Sequence, residues 1–98
     1  MSYLVEIVIP DSIKPIERGE RFDLPLCDVM EELKGEYIGG VSRIVQGQIS
    51  EVFVQLEVDD IELALPKIVE VLNEGRAPAG TSIMQRTPFE AELHTVGD

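Results

Sequence analysis

The sequence is poor in the residue types from which most catalytic and metal sites are built. It contains one cysteine (Cys27), one histidine (His94) and no tryptophan. A single cysteine excludes an intrachain disulfide and a cysteine metal cluster, and a histidine so far away in the chain is a weak candidate to activate it. The acids at 59–62 lack the alternating oxygen ligands of a calcium loop. We therefore predict no catalytic residue, no metal site and no cofactor, and hence a protein that is not an enzyme.

Basic residues are also scarce. Eight Lys and Arg residues face nineteen Asp and Glu residues, which gives a formal net charge of −11 at pH 7. Nucleic acids and anionic membrane surfaces are bound through clustered Lys and Arg, so the composition predicts neither partner. The apolar runs are much shorter than the ~20 residues of a membrane-spanning helix, and the N-terminus does not resemble a secretory signal. We expect a cytoplasmic protein, in which the charge maintains solubility or attracts a basic protein.

The strands are predicted from residues that alternate between apolar and polar. Residues 3–9 place Val5, Ile7 and Ile9 on one face and Leu4 and Val8 on the other. Further strands are predicted at 37–45, 50–58 and 81–86, and a turn at 46–48 joins the second and third strands into a hairpin. Residues 89–94 also alternate, which suggests either a short fifth strand or an extended tail. His94 is expected to be exposed to solvent.

Two segments have the apolar spacing of amphipathic helices. The first has Asp23 as its expected N-cap, places Cys27 in a buried or half-buried position and ends before Gly35. The second starts at 59–60 and ends at Gly75, and its Pro66 is expected to bend the helix or shift its start. Residues 11–22, between the first strand and the first helix, are predicted to form a long charged loop. The apolar positions are Leu26, Val29, Met30 and Leu33 in the first helix, and Ile61, Leu65, Ile68, Val69 and Leu72 in the second.

The order of these elements is strand, helix, strand, strand, helix, strand. Each helix has one apolar stripe that must be buried against the sheet, and right-handed crossovers place both helices on the same face. The sequence of 98 residues suffices for one domain. We therefore predict a single α+β domain over 1–98, a ferredoxin-like split βαβ sandwich. Its four-stranded antiparallel sheet has two helices on one face, and the fifth strand is an addition.

Part of the second half resembles a group of known sequences. The run Asp59-Asp60-Ile61-Glu62-Leu63-Ala64-Leu65-Pro66, followed by Gly75-Arg76-Ala77-Pro78-Ala79-Gly80-Thr81, is similar to the second half of small uncharacterised bacterial proteins with this βαββαβ order. Some of those look like immunity proteins that neutralise a neighbouring toxin. The resemblance implies a ferredoxin-like fold and lies in capping and turn residues, so it assigns no functional residue.

The negative charge is concentrated in the two predicted helical segments. Residues 23–36 carry five acids against one lysine, and residues 57–74 carry six acids against one lysine. The charge either forms a solvated outer face or provides a docking surface for a basic partner. The candidate partner-binding residues are Glu31, Glu32, Glu70 and Glu74.

Two other surfaces are candidates for binding. Leu4, Val8 and Phe53 are expected on the face of the sheet that the helices leave uncovered, where an apolar cluster favours a homodimer with two-fold symmetry. Gly39 and Gly40 lie inside a predicted strand, where glycines allow a bulge or the close approach of a ligand. The segment Gly39–Gly47 is thus either a bulged hairpin or a cradle for a small anion.

Two functions follow from these surfaces. The favoured hypothesis is a non-enzymatic protein-interaction domain, an acidic inhibitor of the immunity or antitoxin kind that docks on a basic partner protein. The alternative is a regulatory domain that senses a small molecule, with a metabolite bound at a dimer interface formed by the open sheet face and the Gly39–Gly47 segment.

Overall fold

A computed structural model describes residues 2–97 as one antiparallel sheet with helices packed on one face. The elements in chain order are β1 (Tyr3–Ile9), α1 (Pro15–Arg18), a π-helical turn (Gly19–Asp23), α2 (Leu24–Leu33), β2 (Glu36–Val45), β3 (Gln48–Val58), α3 (Ile61–Glu74), β4 (Ser82–Thr87) and β5 (Ala91–Thr95). The fold is therefore α+β. No helix in this part of the chain is long and apolar enough to cross a membrane.

The sheet contains five strands in the order β2-β3-β1-β4-β5. Every neighbouring pair is antiparallel. The count of four strands is corrected to five, because the alternating residues after Pro88 pair with β4 as the short strand β5. The two edge strands are thus β2 and β5, which differ greatly in length.

The core lies between the helices and one face of the sheet. The predicted inward positions of β1 and β3 are all buried: Val5, Ile7, Ile9, Val52, Val54, Leu56 and Val58. The helices contribute Leu26 and Met30 from α2 and Ala64, Ile68, Val71 and Leu72 from α3. Burial of this kind is worth roughly 1.5–3 kcal/mol for each large apolar side chain and is the main force that holds the layers together.

The predicted loop over 11–22 is largely helical, and this prediction was wrong. Helical backbone starts at Pro15 and continues without a break through the π-helical turn into α2. Proline is well tolerated at the first helical position because its missing N–H would have no partner there. Asp23 is consequently not an N-cap: it has helical dihedral angles and makes no capping hydrogen bond.

Two apolar residues explain why this segment folds onto the domain. Phe22, in the π-helical turn, is fully buried, and Ile13 is buried just before the helix begins. Ile16, by contrast, is 80% exposed. A π-helical turn adds a residue to one turn and so changes the side of the helix that the following residues occupy. Here Phe22 is brought onto the buried side together with Leu26.

The hairpin between β2 and β3 turns at Gln46 and Gly47, as predicted. Both residues have positive φ, 51° and 77°, which is the pattern of a two-residue type I′ turn. The β2 ladder shifts its register between Tyr37 and Gly39. The predicted bulge is therefore present, at Ile38 directly before the glycine pair.

Helix α3 begins at Ile61, with Asp60 as its N-cap. The Asp60 carboxylate accepts a hydrogen bond from the Leu63 backbone N–H at 3.2 Å. Pro66 stays inside the helix, so the expected shift of the helix start is wrong. The proline costs one backbone hydrogen bond, and the apolar stripe buried against the sheet offsets that loss.

Candidate functional site

The most acidic concave surface among the described residues lies on the helical layer, beside α2 and α3. One groove of about 210 Å³ runs between α2 and α3. It adjoins a larger cavity of about 640 Å³, which shares Pro25, Val71 and Glu74 with it. We call the combined surface the acidic groove. Its acidic residues are Glu17, Glu20, Asp28, Glu32, Glu70 and Glu74.

The structure brings three of the four predicted partner-binding residues together. Glu32 from α2 faces Glu70 and Glu74 from α3 across the groove. Glu31 is exposed but does not line either cavity. Glu17 and Glu20 were missed, because they belong to the segment predicted to be a loop. Their spacing from Arg21 and Phe22 is compatible with a helix, and the proline and glycine in the segment hid that signal.

Two of the three cations in the acidic groove have carboxylate partners. Lys67 pairs with Glu32 at 2.9 Å between Nζ and Oε1. This hydrogen bond and the negative charge of Glu32 raise the pKa of Lys67. Arg21 pairs with Glu17 and also donates to the backbone oxygens of Gly75 and Arg76, at 2.8 and 2.9 Å.

Arg21 therefore places a positive charge at the C-terminal end of α3, where the helix dipole favours it. Within residues 2–97, four carboxylates of the groove form no ion pair: Glu20, Asp28, Glu70 and Glu74.

Part of the charge assigned to the helical face lies elsewhere. Asp23 is buried, and its carboxylate accepts hydrogen bonds from Arg18 Nε, at 3.2 Å, and from the Tyr37 hydroxyl. Glu36 and Glu57 lie opposite one another in the neighbouring strands β2 and β3. The acidic face is therefore built from a different set of residues than the count by segment suggested.

The Asp23 carboxylate joins the π-helical turn to β2. Burial and the hydrogen bond to Asp23 raise the pKa of Tyr37 to about 12, so its hydroxyl stays protonated and donates. Gly40 makes room for this arrangement, since a Cβ at position 40 would lie 2.6 Å from Cζ of Arg18. Within residues 2–97, no buried polar side-chain atom of this cluster lacks a hydrogen-bond partner, which indicates a structural anchor.

A contact inside the domain explains why position 40 is a glycine. The space above Gly40 is filled by the Arg18 guanidinium, whereas a Cβ at Gly39 would meet no atom within 4 Å. The rest of the Gly39–Gly47 segment is paired with β3 or forms the hairpin turn. The Arg18 side chain thus occupies the space over Gly40 in which the sequence allowed a small anion to bind.

The open face of the sheet is mixed rather than apolar. Val41, Phe53 and Val8 are neighbours in one row across β2, β3 and β1. In the next row Glu6 accepts hydrogen bonds from Arg86, at 2.8 and 3.0 Å, and from Gln55 at 2.9 Å. The predicted dimer residues Leu4, Val8 and Phe53 are half-buried, and the Glu6 ion pair separates Leu4 from the other two.

The lone cysteine and the lone histidine belong to no metal-type cluster among residues 2–97. Burial, together with the charges of Asp23 and Asp28, raises the pKa of Cys27, which opposes formation of a thiolate. His94 is half-buried in β5 rather than exposed as predicted, because β5 pairs with β4. Across residues 2–97, no three His, Cys, Asp or Glu side chains are grouped so that they could hold a metal ion.

Comparison of the chain with models of protein families, with curated proteins and with solved structures gives no match. The resemblance to immunity-like proteins therefore stays a prediction. The functional argument depends on the geometry of the acidic groove and of the sheet.

Proposed function

We propose that the protein is a non-enzymatic interaction domain that docks on a basic partner protein through the acidic groove, as an inhibitor of the immunity or antitoxin kind would. The observation that supports this most directly is the cluster of carboxylates on facing helices. Glu70 and Glu74 from α3 and Asp28 from α2 line one groove and form no ion pair within residues 2–97.

Like charges at this spacing reduce the stability of the domain. Glu70 and Glu74 stand four positions apart on one helix, where like charges repel by about 0.2–0.5 kcal/mol. A basic side chain inserted between α2 and α3 would relieve that repulsion, and it would also bring the steering that accelerates association of oppositely charged proteins.

The test measures binding of a synthetic lysine-rich helical peptide, with Lys at positions i and i+4, to the full chain. The double variant Glu70→Lys/Glu74→Lys is expected to bind about tenfold more weakly at low salt, a loss of about 1.4 kcal/mol. The difference between the two proteins should fade as salt approaches about 1 M, where the Debye length is ~3 Å. Titration calorimetry at several salt concentrations gives both quantities.

The matched control is Glu90→Lys/Glu92→Lys. This variant makes the same change in net charge at two exposed acids before and within β5, away from the acidic groove. It is expected to bind the peptide nearly as well as the unchanged protein. Equal weakening by both double variants would show that net charge alone attracts the peptide, and the docking proposal would then fail.

We also infer two further properties. The first is a ferredoxin-like fold with an added strand, and the second is a cytoplasmic location. The order β2-β3-β1-β4, with a helical crossover from β1 to β2 and another from β3 to β4, supports the first inference. The low cysteine content supports the second, since small secreted domains are commonly rich in disulfides.

The alternative function is a sensor of a small molecule. A cavity of about 530 Å³ beside the start of α3 supports it, because Tyr3 and Phe89 give it aromatic walls next to Asp59 and Glu62. Cavities of this size suit small ligands. A metabolite that binds only the folded chain must raise its thermal midpoint. A flat response across a metabolite panel, combined with salt-dependent peptide binding, would favour the docking function.

A further inference from the structure

The outer edge of β2 carries features of an unfilled pairing site. β2 has ten residues and lies at the end of the sheet, so one side of its backbone has no strand partner within residues 2–97. In an antiparallel strand alternate residues direct their N–H and C=O outward, which leaves about five residues able to pair with another strand. Such an edge readily binds a further strand unless it is shortened, charged or covered.

The side chains of β2 are unusually apolar for an exposed element. Eight large hydrophobic residues in the described part of the chain are exposed, and four of them lie on this strand. These four residues are between 47% and 58% exposed: Ile38, Val41, Ile44 and Val45. Exposed apolar residues grouped on one element commonly mark a contact with another protein.

The charge distribution identifies the occupant. No acidic residue occurs between Glu36 and Glu51, and Arg43 is the one charged residue in that interval. Two copies of a chain with a net charge of −11 repel one another over most of their surface. Two copies therefore repel one another least when they meet at this edge. A basic partner would not favour the edge, because it has no carboxylate between Glu36 and Glu51.

The other edge of the sheet is protected. β5 has five residues, carries Glu92 and follows Glu90. Short length and charge are the usual means by which proteins block pairing at an edge. A contact between β2 of one copy and β5 of the next would also continue without closing, while two β2 strands related by a two-fold axis form a closed pair.

We propose that two copies of this chain associate through antiparallel pairing of their β2 strands, which forms one continuous ten-stranded sheet. The row of Val41, Phe53 and Val8 then continues from one copy into the other across the new strand pair. The acidic groove lies on the helical layer and contains no residue of β2. The proposal is independent of the docking function and differs from a dimer that packs Leu4, Val8 and Phe53 face to face.

The test combines mass, substitution and amide exchange on the full chain. Light scattering after size exclusion should give about twice the chain mass of 10.9 kDa. Val41→Lys/Ile44→Lys should halve that mass, since lysine on an edge strand blocks pairing. The matched control Leu24→Lys/Leu63→Lys changes two residues that are each 62% exposed on the helices, and it should remain dimeric. Circular dichroism checks that each variant is folded.

Amide hydrogen exchange locates the contact. Alternate amides of β2 should exchange more slowly in concentrated than in dilute protein, and the difference should vanish in Val41→Lys/Ile44→Lys. A monomeric unchanged protein at about 100 μM, well above the μM dissociation constants of many specific dimers, would overturn the proposal. The proposal would also be overturned by a dimer whose β2 amides are not protected, or by assemblies larger than a dimer. It would equally fail if Val41→Lys/Ile44→Lys stayed dimeric or if the control Leu24→Lys/Leu63→Lys dissociated. None of these outcomes depends on peptide binding to the acidic groove.

Discussion

Gly40→Ala is expected to destabilise the domain, even though alanine is generally more favourable than glycine inside a strand. A Cβ at position 40 would lie 2.6 Å from Cζ and Nη2 of Arg18 and 2.9 Å from Nε. The guanidinium must therefore shift, and we expect the shift to break its ion pair with Asp23, whose atoms lie 3.2 Å apart. Both side chains are nearly buried, with 12% and 11% exposed, so solvent screens this pair only weakly.

The magnitude follows from two opposing contributions. A hydrogen bond to a charged group contributes about 1.5–3 kcal/mol. Replacing glycine by alanine in a strand returns about 0.5–1 kcal/mol because the unfolded chain loses freedom. Asp23 keeps the Tyr37 hydroxyl as a partner, which limits the damage. The expected net loss in the free energy of unfolding is about 0.5–2.5 kcal/mol, the difference of these ranges.

Urea-induced unfolding followed by far-ultraviolet circular dichroism at one fixed protein concentration measures this loss. In an Arg18→Ala background the clash no longer exists, and Gly40→Ala should then stabilise by about 0.5–1 kcal/mol. The two backgrounds thus differ by a coupling free energy of about 2 kcal/mol. The neighbouring control, Gly39→Ala, meets no atom within 4 Å and should be neutral or slightly stabilising. Equal losses for Gly40→Ala in both backgrounds would refute the reasoning.

Two further substitutions probe buried polar groups. Burial and Asp23 raise the pKa of Tyr37 to about 12, above its unfolded value of about 10. Its contribution to stability is therefore complete below pH ~10 and lost as pH rises towards 12. Tyr37→Phe should lower the free energy of unfolding at pH 7 by about 1–2 kcal/mol. In urea unfolding, the variant should also lack the loss of stability between pH ~10 and ~12. Parallel pH profiles of the variant and the unchanged protein would contradict this expectation. The buried Thr81 hydroxyl has no hydrogen-bond partner among residues 2–97, so Thr81→Val should raise stability by about 1 kcal/mol and the thermal midpoint by roughly 4–8 °C. A lower midpoint than that of the unchanged protein would count against this expectation, and Thr81→Ser serves as the destabilised control.

The sequence was most informative where a local period decides the structure. β1 and β3 were predicted with the correct inward faces, because alternation in a strand directly separates buried from exposed residues. The stripes of α2 and α3 were predicted in part, since the other predicted positions are only partly buried and the buried Ala64 and Val71 were not among them. The predicted positions that are buried are Leu26, Met30, Ile68 and Leu72. The hairpin turn followed from Gly47, since positive φ in a type I′ turn strongly favours glycine.

The predictions failed where distant residues decide the local structure. Pro15 and Gly19 indicated a loop, and burial of Phe22 against the core made the same residues helical. Asp23 was expected to cap a helix and instead lies buried inside one, because Arg18 and Tyr37 satisfy its charge. No spacing in the sequence relates Tyr37 or Gly40 to this carboxylate.

The sequence by itself determined the fold class, the layers and the sign of the charge, since each depends on composition or on residues a few positions apart. Only the tertiary structure decided which carboxylates meet. It placed Glu17 and Glu20 in one cavity with Glu74, buried Asp23 and left β2 at the edge of the sheet, with one side unpaired within residues 2–97. The reason is physical: charge interactions act between neighbours in space, and the packing of helices on the sheet determines those neighbours.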